Sequence, residues 1–140
     1  MRFVTEPVTE SFAPKNAELS VELRAFIQRM YGDMSPADLR EYLRLVCENL
    51  LPVVGALERA IETQDYPAAA TQCHKLRNMT SAVGASLLSK SLSALEGRCK
   101  RGEGPEDASV VAGMRPECEH VLGILRQIRA SDEPIPSATN

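Results

Sequence analysis

The chain has no tryptophan, and aromatic residues make up only 4% of its 140 positions. That shortage weighs against a sheet sandwich, whose core draws on aromatic and β-branched side chains, and favours helices packed through Leu, Val, Ala and Met. No apolar run approaches the roughly 20 residues that a membrane-spanning helix needs. The start, Met1-Arg2-Phe3-Val4-Thr5-Glu6-Pro7, lacks the hydrophobic stretch of a secretion signal. A basic excess is also missing: the net charge is −3 and the pI is near 5.4, which argues against a nucleic-acid partner. There is no glycine-rich nucleotide loop, Walker motif or ATP lid, so ATP-dependent kinase activity is not expected. The four cysteines (Cys47, Cys73, Cys99 and Cys118) include no Cys-x-x-Cys pair, and each falls in or beside an apolar helical stripe. Buried free thiols in a reducing compartment explain them better than disulfides do, and with neither span nor leader in view a soluble, cytoplasmic protein is expected.

What is present is helical periodicity. A length of 140 residues with 44% apolar content suits one compact domain. Residues 1–16, with Pro7, Pro14 and Asn16, show no sustained period and read as an N-terminal arm. From Ala17, the spacing of Leu19, Leu23, Phe26, Ile27 and Met30 predicts one helix face ending near Tyr31-Gly32. Ser35-Pro36-Ala37-Asp38 is a helix start with an N-cap hydroxyl, a proline at the first position and a carboxylate near the positive end. The stripe Leu39, Tyr42, Leu43, Val46, Leu50, Val54, Leu57 and Ile61 follows, with a bend expected between Glu48 and Pro52. Gln64-Asp65-Tyr66-Pro67 marks a reversal into a third helix with Ala69, Cys73, Leu76, Thr80 and Val83 inward. Gly84 suits the left-handed position that ends it. A fourth helix turns Leu88, Leu92, Leu95 and Cys99 inward.

Gly104-Pro105-Glu106-Asp107 reads as the start of a fifth helix, with the stripe Val111, Met114, Cys118, Val121, Leu125 and Ile128 and a bend at Pro116. Residues 131–140 read as a disordered tail. The fold class expected is all-α: an antiparallel four-helix bundle over residues 17–130, capped by the first helix.

One of only two histidines, His74, lies on the third helix in Cys73-His74-Lys75-Leu76-Arg77-Asn78. Its neighbours on the same face are Ala70, Arg77, Asn78 and Ser81, while Cys73 and Leu76 point about 100° and 200° around the axis, toward the core. A small residue below and a cation above suit a phosphorus nucleophile: one ring nitrogen attacks while the other is held by a hydrogen bond. A phosphoryl group brings about two negative charges, which Arg77 and Lys75 would offset. The fourth helix carries a polar stripe of Ser89, Ser93, Glu96 and Lys100. His120 has no comparable surroundings and reads as an ordinary surface residue. Cys73 and His74 diverge too far to share a metal ion, so no metal site is expected.

The run Cys73-His74-Lys75-Leu76-Arg77-Asn78, then Gly84-Ala85 and Leu95-Glu96, resembles the histidine-containing phosphotransfer (HPt) domain, which reads roughly Ala-His-x-Leu-Lys-Gly, Gly-Ala and Leu-Glu. Asn49-Leu50-Leu51-Pro52 and Cys99-Lys100-Arg101-Gly102 extend the similarity to about residues 17–130. Arg77 stands where Lys is commoner, and Asn78 where the family usually has Gly, which leaves room for a partner's loop. The resemblance implies a phosphorelay carrier that accepts a phosphoryl group on His74 from a receiver aspartate and passes it to another. Glu96 would orient the imidazole, Lys100 would assist Arg77, and Ala70, Asn78, Ser81 and Gly84 would form the close-approach surface. Its implied partners are response-regulator receiver domains and a hybrid sensor kinase, with Mg²⁺ in the receiver's pocket and no cofactor bound here. Apolar residues of the first two helices would contribute to docking. A monomer is expected, and the Met1 start and tail-like end favour a freestanding protein. The alternative is a module of the same fold that regulates a partner by binding alone.

Overall fold

The structure, a computed structural model, describes the backbone of residues 5–131 and the side chains of residues 17–131. Those residues form six helices and no strand: α1 (Thr5–Tyr31), α2 (Pro36–Glu62), α3 (Tyr66–Ala82), α4 (Ser86–Lys100), α5 (Ala108–Ala112) and α6 (Met114–Ala130). The expected tail over residues 131–140 lies outside the described residues except for Ser131.

Local chemistry sets the helix ends. Ser35 is extended (φ −64°, ψ 150°), and its hydroxyl accepts the Asp38 N–H at 3.1 Å, with Pro36 opening α2. Asp65 caps α3 the same way, accepting from the Ala68 N–H at 3.2 Å. At the far end of α3 the Gly84 N–H bonds to Ser81 O at 3.1 Å and the Ala85 N–H to Thr80 O at 2.9 Å, with Gly84 at φ +87°. This is the paired-bond stop that a left-handed glycine permits. It reverses the chain after three residues, so that α4 runs back along α3.

Two expectations change. Helix α1 starts at Thr5, so residues 5–16 of the expected arm have helical backbone. Pro52 sits on the exposed side of α2, which continues unbroken to Glu62, as expected of a proline that does not end its helix; the carbonyl it leaves unpaired can face water. The fifth helix is two. Asp107, not Gly104, caps α5, and Gly113 separates α5 from α6. Pro116 then falls in the first turn of α6, where a missing N–H removes no intrahelical bond.

The core joins these elements. Helix α2 packs against α3 and α6, α3 against α4, and α1 and α5 against α6. Leu23 and Ile27 of α1, Leu43, Leu50, Val54 and Leu57 of α2, Leu76 of α3, Leu92 of α4 and Leu125 of α6 are wholly removed from solvent. Each such side chain contributes about 1.5–3 kcal/mol relative to exposure. Met30, assigned to the α1 stripe, is instead 57% exposed, because the stripe ends one turn earlier. Tyr31 anchors the end of α1 by donating its hydroxyl to Ala82 O at 2.6 Å. Among the described residues no helix is long and apolar enough to cross a membrane.

Candidate functional site

The tight α3–α4 turn fixes the register of two antiparallel helices, and register decides which polar side chains meet. Near the turn, Ser89 is buried between Thr80 and Ser81, at 2.8 and 3.1 Å between hydroxyl oxygens. About two turns further from the reversal, the same pairing sets Glu96 opposite His74 and Arg77. Cys73 and Leu76, on the other side of α3, are fully buried, which turns His74 outward with its side chain 53% exposed.

Glu96 is the centre of the group. Its carboxylate is nearly buried, yet one oxygen, Oε2, lies 3.1 Å from His74 Nδ1 and 3.2 Å from Lys100 Nζ. The other, Oε1, accepts from Arg77 Nε at 3.1 Å. Burial pushes the Glu96 carboxyl up, but the hydrogen bonds from Lys100, Arg77 and His74 outweigh burial and hold it below the usual carboxylate range. It is therefore a fixed negative charge at neutral pH. Arg77 also reaches the imidazole, with Nη2 2.9 Å from Nδ1. Nδ1 is thus engaged on the protein side.

Beside the imidazole is an open depression lined by Pro67, Ala70, Thr71, His74, Glu96, Cys99 and Lys100. Pro67 and Thr71 precede His74 by seven and three residues and extend, on either side of Ala70, the face that the helical spacing assigns to His74. Burial pushes the neighbouring Cys73 thiol up to about 12, so it stays protonated and does not compete as a nucleophile.

The structure brings together His74, Arg77, Glu96 and Lys100, with Ala70 as the small floor. Lys75, Asn78 and Ser81 are exposed on α3, and Lys75 takes no part in the cluster. Gly84 does not belong to a partner-facing surface. It is buried, and a Cβ there would stand 2.5 Å from the Phe26 side chain, so the close approach it permits is by α1 of the same chain. His120 is half-buried in a groove between α1, α4 and α6, away from this cluster.

A half-exposed histidine held at one nitrogen and backed by cations is equipped to carry an anionic group. The family model of the Hpt domain matches residues 41–131, which is more than half of the chain. The chain belongs to the Hpt domain family. Histidine phosphotransfer in phosphorelays is what that family does, working with receiver domains of two-component systems as a carrier and not a kinase. No curated protein and no solved structure matches the chain.

Proposed function

We propose that His74 is the phosphoacceptor, taking a phosphoryl group from the aspartyl phosphate of one receiver domain and delivering it to an aspartate of another. The observation that carries this reading is the pairing of Nδ1 with buried, ionised Glu96 while the ring is half exposed. With the proton on Nδ1 donated to Oε2, Nε2 keeps its lone pair and faces the partner. Nε2 attacks phosphorus; the N–P bond forms as the P–O bond to the receiver's carboxylate breaks, and that carboxylate leaves with the electron pair. The phosphoimidazole gains positive character, which the Glu96 carboxylate stabilises through the Nδ1–H bond. Lys100 and Arg77 lie close enough to balance the phosphoryl charge, and exposed Lys75 adds to the local positive field. Transfer onward is the same step reversed on a second receiver.

The site does not fit a magnesium ion, because its one carboxylate is already held by Arg77, Lys100 and the imidazole. The Mg²⁺ that this transfer uses is accordingly assigned to the receiver. Docking is assigned to the surface around His74, with Asn78 and Ser81 at its edge and exposed apolar side chains of the first two helices, Val21, Met30 and Leu45, available to a partner. The architecture is assigned as a bundle of α2, α3, α4 and α6 capped by α1, acting as a cytoplasmic monomer with receiver domains and a hybrid sensor kinase as partners.

Incubation with a ³²P-labelled phosphorylated receiver tests the reading. Acid-labile, alkali-stable label is expected on the wild-type protein and none on His74→Gln. Absence of label on the wild type with a panel of receivers, or label persisting on His74→Gln, contradicts it and leaves the binding-only module as the better account.

A further inference from the structure

The depression beside His74 gives a group bound to the imidazole room to lie, and the transfer chemistry does not yet use all of its walls. Of the cations near the ring, Lys100 lines it, while Arg77 and Lys75 do not. Its floor is Ala70, and the one hydroxyl among its lining residues belongs to Thr71. Thr71 is exposed and stands one helical turn before His74 on the same face of α3.

Both donors in these walls have capacity to spare. The Thr71 hydroxyl donates to Pro67 O at 3.3 Å, well beyond the ~2.7–2.8 Å usual between two oxygens. That carbonyl also receives the Thr71 N–H in the helical ladder, so the hydroxyl can turn away without stranding it. Across the depression, Lys100 Nζ meets Glu96 Oε2 at 3.2 Å, and an ammonium bonded once still has protons to give. The Lys100 side chain is 66% exposed, which lets its head group lean into the depression without leaving the carboxylate. Glu96 meanwhile keeps Nδ1, and Arg77 keeps Oε1.

We propose that Thr71 is a phosphoryl-binding residue: its hydroxyl donates to one oxygen of the phosphoryl group on His74, opposite Lys100, which takes another. The group then lies on the N-terminal side of the imidazole, above the Ala70 floor. A phosphoryl group offers three strong acceptor oxygens, and the two donors approach it from different helices. The loaded form is thereby stabilised with nothing changed at Nδ1. The inference rests on His74 being the phosphoacceptor and adds to that reading a donor from the turn before the histidine.

The equilibrium of phosphoryl exchange tests this. A ³²P-labelled phosphorylated receiver is mixed with the protein, and the label on each is measured once it stops moving. At concentrations too low for a lasting complex that plateau, unlike a rate, does not depend on how well the two proteins dock. Thr71→Val keeps the branched shape and removes the donor; it is expected to move the plateau toward the receiver by about three- to tenfold, the range of one hydrogen bond. Thr71→Ser keeps the hydroxyl and is expected to stay within about twofold of the wild type. Circular dichroism confirms that each variant is folded. An unchanged plateau for Thr71→Val, or an equal shift in Thr71→Ser, overturns the proposal and leaves the acceptor reading standing, since His74 still carries label. A wild type that takes no label overturns both.

Discussion

Glu96 is buried on the face of α4 that reads in the sequence as a polar stripe, and its three partners explain how a charge can lie there. Each partner lowers the cost of removing the carboxylate from water, and together they hold its folded-state pKa below the ordinary value. A depressed carboxylate stabilises the fold above its unfolded pKa, and that contribution is lost as pH falls through the folded one. Urea denaturation between pH 7 and pH 3 should therefore show a steeper acid-side loss for the wild type than for Glu96→Gln. Equal slopes would mean that the carboxylate is no better off folded than unfolded. Glu96→Ala should leave the helical circular dichroism intact and slow phosphotransfer by about 10- to 100-fold, the cost of a misplaced reacting group. An unchanged rate removes Glu96 from the mechanism. The sequence spacing already placed Arg77 one turn beyond His74 and marked Glu96 as its orienting residue by resemblance. It could not show that Arg77 and Glu96 meet the same ring nitrogen, because i, i+3 proximity says nothing about which atom of a fork points where.

Helix ends were the most legible elements, since capping is a local property. Ser35 accepts from the backbone N–H three residues on, as its position predicts, and Asp65, one of the two cap candidates that the reversal before Pro67 offers with Tyr66, does the same. Ser35→Ala should lower unfolding free energy by about 1 kcal/mol in chemical denaturation. Gly84 was read correctly as the left-handed stop of α3 and incorrectly as partner-facing surface, because its burial comes from Phe26 on a helix distant in sequence. Gly84→Ala combines backbone strain at φ +87° with that overlap, and a loss of about 2–4 kcal/mol is expected. A loss under 1 kcal/mol would show that α1 yields easily. The start of α6 was less legible: the break at Gly113 that puts Pro116 in a first turn carries only a weak local signal.

At the scale of the molecule, periodicity was enough for the core and not for its edges. The stripes of α2, α3 and α4 fall inside almost as expected, because apolar burial follows the 3.6-residue period wherever a helix has neighbours along its length. The end of α1 departs from it: Met30 stays exposed while Tyr31 turns in to reach Ala82. All four cysteines are buried free thiols, as their places in the stripes predict. The same packing that hides Cys73 and Leu76 turns His74 outward, so core and site are one consequence of the α3 pattern. The central claim is that this packing engages Nδ1 and leaves Nε2 for chemistry. Phosphorus–nitrogen NMR of ¹⁵N-histidine-labelled protein, phosphorylated by a receiver, reads it directly. The account predicts phosphorus coupled to Nε2 of His74, with Nδ1 still carrying a proton. Phosphorus on Nδ1, or on any residue other than His74, would contradict it.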